Sequence, residues 1–276
     1  MRNPKTIQTA LDAALLSRTP LLRVGRALAK LELLRPTGGA DDRALAAWDA
    51  AGLDPGARAV AVCTMGGALA GAAWARARGV SLHLLVHGPL THEAQKIIEI
   101  WGPVLEHLAS PEAAQRRAQA LSTEATLLVP LDGKVAANAA ARSLGAELLG
   151  DLDEAQEIPS MLVAPAGARA ALLGALQALR ARWPAVRAVA LVAASREDEL
   201  PELPPASAAD LDPSIELRAV TRAEASRARA WLTRTAGLLA SHAAAAAVQA
   251  ADELGGVALV SSTGEREFSL DARPSS

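Results

Sequence analysis

LAKLELLRPTGGADDRALAAW, residues 28–48, carries an apolar, strand-like run through a turn into a helix start, and the run holds two charges, Lys30 and Glu32. Arg35-Pro36-Thr37-Gly38-Gly39 supplies the turn chemistry, with proline fixing φ and glycine allowing the chain to reverse. Ala40-Asp41-Asp42-Arg43 then opens the helix, with both carboxylates where the helix dipole favours anions. The stretch reads as an anchoring loop from which the anchoring side chain is missing.

Outward from this loop the chain alternates. Residues 5–17 have helical periodicity, Thr19-Pro20 breaks it, and LLRV and ALAKLELL follow as strand-like runs. From Arg58 the order is RAVAVC as strand, GALAGAAWARAR as helix, SLHLLVH as strand, HEAQKIIEIW as helix, PVLEHL as strand, PEAAQRRAQAL as helix and TLLVP as strand. After a helical segment at 134–149 come SMLVAPAG as strand, ARAALLGALQALRARW as helix and AVRAVALVA as strand. Helices at 222–235 and 242–254 lead to GVALVSS. Strands alternating with helices of this length predict βαβ units and parallel sheets covered on both faces. The Pro- and Asp-rich run EDELPELPPASAADLDPS, residues 197–214, reads as a surface excursion that need not pack.

At 276 residues the chain can bury the core of two lobes. A hydrophobic fraction of 51% against 21% charged places it among folded globular proteins. A formal net charge of −2, spread along the chain, offers no footprint for nucleic acid. No apolar run reaches membrane-spanning length, and the start lacks a secretory pattern, so a cytoplasmic protein is expected. The single cysteine, Cys63, excludes an intramolecular disulfide and a Cys-rich zinc site.

Several stretches, taken in order, resemble the pyridoxal-phosphate enzymes of the tryptophan-synthase-β fold, the group of cysteine synthase, threonine synthase and threonine dehydratase. Thr19-Pro20-Leu21-Leu22-Arg23 is similar to that family's Thr-Pro-Leu-Val-Arg opening. Lys30-Leu31-Glu32 with Pro36-Thr37-Gly38 is similar to its Lys-x-Glu…Asn-Pro-Thr-Gly. The family continues Ser-Phe-Lys-Asp-Arg, where this chain has Gly39-Ala40-Asp41-Asp42-Arg43, so Asp41 occupies the Schiff-base lysine position. A carboxylate forms no imine and would repel the cofactor's phosphate and phenolate oxygens.

The other positions that the resemblance marks are altered too. The segment 62–80 keeps Thr64, but Gly66 replaces the asparagine that would meet the cofactor's ring oxygen, and Met65 replaces a glycine. The segment 165–174 resembles the phosphate cradle and keeps Gly167 and Gly174, while Arg169, Ala170 and Ala171 replace its inner glycines and threonine. Gly237-Leu238-Leu239 and SHAAAAAVQAA resemble a further segment whose hydroxyls are here Ala243 and Ala244. Ser262-Thr263-Gly264-Glu265-Arg266 resembles Ser-Ser-Gly-Glu-Arg, and the resemblance assigns the pyridine-nitrogen contact to Thr263.

The resemblance implies a two-lobed α/β fold of open, largely parallel three-layer sheets, with residues 1–45 and 141–276 in a larger domain and 46–140 in a smaller inserted one. It also implies a homodimer, to which the apolar stretch TIQTALDAALL could contribute an arm. Individual residues carry alternatives. Asp41 reads either as an acid or base in a repurposed cleft or as an ordinary first-turn carboxylate. Arg169 at a helix start reads as a space filler or as the seed of an anion site. His83, His87 and His92 read as ordinary strand-end histidines, a metal site being the sharper alternative. Ser241-His242 has no evident acid partner, and Ser241 reads as a helix cap. Lys5, Lys96 and Lys134 fall elsewhere in the pattern, and Lys30 is the one lysine near the loop. The expectation is a degenerate, non-catalytic binding or regulatory protein that needs no cofactor and takes a protein partner or a small anionic ligand in its cleft. The alternative is an active enzyme of amino-acid metabolism, through another lysine or other cleft chemistry.

Overall fold

The computed structural model describes residues 18–131, 133–209 and 211–267, so the helical stretch read at 5–17, and Lys5, lie outside it. β1 (Leu21–Val24) and β2 (Ala27–Lys30) form a hairpin turned at Gly25, whose φ of 58° suits glycine. 3₁₀ turns at Glu32–Leu34 and Ala40–Ala44 lead to the short helix α1 (Ala46–Asp49). β3 (Arg58–Cys63), α2 (Met65–Arg78), β4 (Ser81–His87), α3 (His92–Trp101), β5 (Val104–Leu108), α4 (Pro111–Leu121) and β6 (Thr126–Leu127) then alternate. α5 (Lys134–Ala140) continues through a π turn, Ala141–Gly145, into α6 (Ala146–Ala155). β7 (Met161–Pro165), α7 (Arg169–Arg182), β8 (Arg187–Ala193), β9 (Glu216–Val220), α8 (Arg222–Ala236), α9 (His242–Leu254) and β10 (Val257–Leu259) complete the described elements.

The helix boundaries follow local chemistry. Thr91, Ser110, Thr221 and Ser241 each accept a backbone N–H three residues ahead, and Thr221 with Glu224 closes a reciprocal capping box. Gly79, Gly102, Gly237 and Gly255 end their helices in the left-handed conformation.

Among the described strands there are two sheets, a six-stranded one ordered β1-β2-β10-β7-β8-β9 and a four-stranded one ordered β5-β4-β3-β6. Among the described strand ladders only the β1/β2 hairpin is antiparallel, so the α/β architecture is the one its alternation predicts. Several predicted strands are shorter than read: ALAKLELL pairs through Ala27–Lys30 and then turns as 3₁₀, SMLVAPAG ends as a strand at Pro165, TLLVP pairs through Thr126–Leu127, and the ladder of GVALVSS spans Val257–Leu259, with Ser262 making an isolated bridge to Gly39.

One face of the larger sheet is covered by α8 and α9, where a run of alanines from Ala243 to Ala247 lets the helix lie close to Val163 and Ala258. The other face is covered by α6 and α7, through Leu148, Leu152, Leu172 and Leu176. Gly174 on α7 is a contact point with the α5 end, since a Cβ there would lie 2.6 Å from Ala141 N and 2.7 Å from Ala137 O. In the smaller sheet's core Trp48 and Trp74 meet edge to face, with centroids 5.3 Å apart, and their indole N–H groups donate to Val129 O and Asp49 Oδ1.

Lys30 is fully buried on β2, in an ionic cluster behind the loop rather than in a cleft. Its Nζ donates to Thr19 O and to Asp151 Oδ2, each at 2.6 Å, and to Glu147. Arg43 forks onto Glu32 at 2.8 and 2.9 Å and reaches Glu147 at 2.9 Å. Burial alone would raise the Glu147 carboxyl, but Arg43, Lys30 and the Thr19 N–H together hold it at about 2, against an ordinary 4.5. A pKa depressed in the folded state stabilises above the unfolded value and is lost as pH falls through the folded one. Stability should therefore decline between pH 4.5 and pH 2, by ~1–2 kcal/mol once partial solvent screening is allowed for. Urea midpoints measured across that range should show the step in the wild type and lack it in Glu147→Gln.

Candidate functional site

The loops that follow the carboxyl ends of the parallel strands converge between the two sheets, the place where open α/β sheets bind ligands. They enclose a cavity of about 280 Å³. Asp41, Thr64, Gly66, Gly167 and Arg169, all singled out by the sequence, lie on its wall. Thr263 does not: the β10 loop presents Ser262 instead, because Thr263 turns its methyl toward the Pro36–Asp41 turn at Gly38.

Asp41 and Asp42 part company. Asp42 is buried and locks the turn, accepting the Thr37 N–H at 3.0 Å and the Thr37 hydroxyl at 2.5 Å; burial pushes its carboxyl up, while those bonds oppose the rise. Asp41 instead faces the cavity, against Gly66 in the first turn of α2, a helix start that has no side-chain cap and whose dipole favours an anion. A Cβ at Gly66 would collide with the Asp41 carboxylate. The two substitutions at the resemblance-marked positions are thus sterically matched.

The largest difference from the sequence reading is the 197–214 loop, which packs instead of running over the surface. Leu200 and Leu203 are buried and close a turn on themselves, with Leu203 N donating to Leu200 O at 2.9 Å. At its tip Glu202 adopts φ 67°, a left-handed conformation costly for a residue with a Cβ. The Gly167 N–H donates to Glu202 O at 3.0 Å, and a Cβ on Gly167 would strike the Glu202 backbone. Inside, Glu202 Oε2 accepts the hydroxyls of Ser262 at 2.5 Å, Ser261 at 2.9 Å and Ser241 at 3.4 Å. Burial pushes this carboxyl up against the pull of those bonds, and Glu267 adds to the rise. Two buried leucines in an acid- and proline-rich run were the signal that this segment folds inward.

Two arginines join the wall. Arg169 begins α7, and Arg266, only 3% exposed, has an Nη2 with no hydrogen-bond partner among the described residues. Burial lowers the Arg266 guanidinium, while Glu202, Asp41, Asp42 and Glu267 support its charge. Ser241 caps α9 as expected, and His242 finds an acid that the sequence reading missed: its Nδ1 lies 2.7 Å from Glu267, both side chains being buried.

His87 lies on the cavity wall, His83 pairs with Glu106 at 2.7 Å, and His92 starts α3; no metal-binding group occurs among the described residues. Of the lysines, Lys96 and Lys134 are exposed on helices and Lys30 is held in its ionic cluster, so no described lysine lines the cavity. No helix among the described residues is long and apolar enough to cross a membrane.

Residues 13–261 match the family described as pyridoxal-phosphate dependent enzyme. Among solved structures, O-ureido-L-serine synthase matches with a TM-score of 0.77 at 23% identity, over 96% of each chain. A hydrogen sulfide-producing enzyme from Fusobacterium nucleatum matches with a TM-score of 0.79 at 15% identity, over 94% of this chain and 98% of that one. An O-acetylserine dependent cystathionine beta-synthase from Helicobacter pylori matches with a TM-score of 0.77 at 19% identity, over 98% of each. At such identities these structures share the fold. No curated protein matches the sequence.

Proposed function

Because this chain belongs to the pyridoxal-phosphate dependent enzyme family, its cavity is the natural place for that cofactor, and we propose that in this member the cavity has become a non-catalytic binding site for a small anionic ligand. The observation that carries the reading is Asp41 on the wall, at the position where the resemblance puts the Schiff-base lysine, with no described lysine beside it. An amine is what forms the imine and exchanges it with the substrate, and a carboxylate does neither.

The rest of the wall does not fit the cofactor either. The glycine that would let a phosphate approach, Gly167, has the Glu202 backbone against it. The Ser262 hydroxyl is engaged by the Glu202 carboxyl at 2.5 Å. Beside the carboxylates of Asp41, Glu199 and Glu202 the wall carries two guanidinium groups, Arg169 at a helix start and Arg266, and these are its groups suited to an anionic ligand. The alternative, an imine relocated to Lys30, would require breaking three buried polar contacts.

Purified protein mixed with pyridoxal phosphate should develop no borohydride-reducible aldimine band. Asp41→Lys should not develop one at micromolar cofactor, because each missing hydrogen bond to the charged cofactor is worth roughly 1.5–3 kcal/mol and an imine alone does not replace three of them. Saturable, micromolar band formation in the wild type would overturn the non-catalytic reading. The same result in Asp41→Lys would mean that the pocket itself is intact.

A further inference from the structure

Glu202 is treated by its surroundings as a bound ligand. Its carboxyl is reached by three serine hydroxyls from two elements, the α9 start and the β10 loop, at 2.5, 2.9 and 3.4 Å, all on one oxygen. The guanidinium of Arg266 stands in the same wall with an unsatisfied, buried Nη2. Three hydroxyls converging on one carboxyl oxygen, with a buried guanidinium in the same wall, make a receptor for a carboxyl group. The segment that supplies the occupant is a four-residue turn whose tip holds a left-handed backbone; besides the Gly167 bond at 3.0 Å, the polar contacts that hold it lie at its ends, Arg222 on Glu199 O at 2.9 Å and Ala193 N on Pro204 O at 3.0 Å.

We propose that Ser241, Ser261, Ser262 and Arg266 form a carboxyl-receiving subsite, which the chain fills with its own Glu202, so that the Leu200–Leu203 turn is a releasable plug of the cavity. The external ligand of the subsite is a carboxylic acid, which takes the place of Glu202 and frees the turn. This deepens the binding reading above by naming the ligand's chemical class. In the plugged state the hydroxyls are engaged, and Leu200 and Leu203 stay buried. In the released state both leucines become available to solvent or to a partner.

The test removes the internal ligand and supplies an external one. In Glu202→Ala, thermal midpoints measured against sodium acetate, with sodium chloride at matched ionic strength as control, should rise saturably. The wild type should need at least tenfold more acetate for the same rise. An acetate response of Glu202→Ala no larger than that to chloride, or an equal response of both proteins, would overturn the proposal. A second variant decides the matter if Glu202→Ala does not fold. Ser261→Ala/Ser262→Ala should increase proteolytic cleavage within 197–214 at least tenfold without exposing other sites, and an unchanged cleavage rate would also overturn it. These readouts are independent of aldimine formation, so a positive pyridoxal-phosphate titration would remove the non-catalytic reading alone.

Discussion

Lys30→Met should destabilise the protein by about 3–5 kcal/mol, the cost of removing one partner from a buried ion pair. The Met side chain fits the volume, so the loss comes from charge. Glu147 and Asp151 each lose a contact with Nζ, and the Thr19 carbonyl loses its donor. Arg43 still holds Glu147, but among the described residues Asp151 keeps only its ion pair with Arg18, which is 56% exposed. For a chain of this size the change corresponds to a fall in the melting midpoint of roughly 10 °C. Adding Asp151→Leu should recover part of the loss, because an apolar pair in place of a buried ionic one is often neutral. Urea denaturation of the single and double variants checks both points. A loss below ~1 kcal/mol for Lys30→Met would mean that water reaches the cluster.

Gly174→Leu should cost about 3 kcal/mol or more, at the upper end of what overpacking does. The atoms facing a new Cβ are the backbone N of Ala141, the backbone O of Ala137 and the Cβ of Ala140, at 2.6, 2.7 and 2.8 Å, none of which can swing aside. Gly145 repeats the constraint from the other helix, with Ala178 Cβ 2.5 Å from its own built Cβ. Pushing α7 away would also shift its first residue, Arg169, out of the cavity wall. Denaturant unfolding reports the stability. A neutral result would mean that the helices can separate freely.

The fold was legible because its signals are local and repeated. The helix from Pro111 to Leu121 begins with Ser-Pro and is bounded by a strand on either side, and the structure reproduces its span. Asp41, Gly66 and Arg169 were legible as departures from a pattern, and the structure brings them to one cavity. Glu202 was not, because nothing local tells a proline-rich loop that its tip will meet serines roughly forty and sixty residues later. That Ser262 and not Thr263 lines the cavity depends on which way the chain turns after β10, and a motif does not carry that information. The partner of His242 was missed for a related reason, since Glu267 comes from a turn after the last described strand.

The place of β10 in the larger sheet has a consequence for how the chain reaches its native state. β10 is the last of the described strands in sequence, yet it sits in the interior of the sheet, between β2 near the beginning and β7. During synthesis the hairpin of β1 and β2 must therefore wait, with one edge unpaired, until residues 257–259 have emerged. The four-stranded sheet, closed between Arg58 and Leu127, has all its pairings within reach much earlier. Assembly should run in two stages, a fast local one and a slow one limited by the return of the C-terminal strand, as expected for non-local parallel pairing. The waiting hairpin edge is then the point at which a nascent or truncated chain is exposed to aggregation.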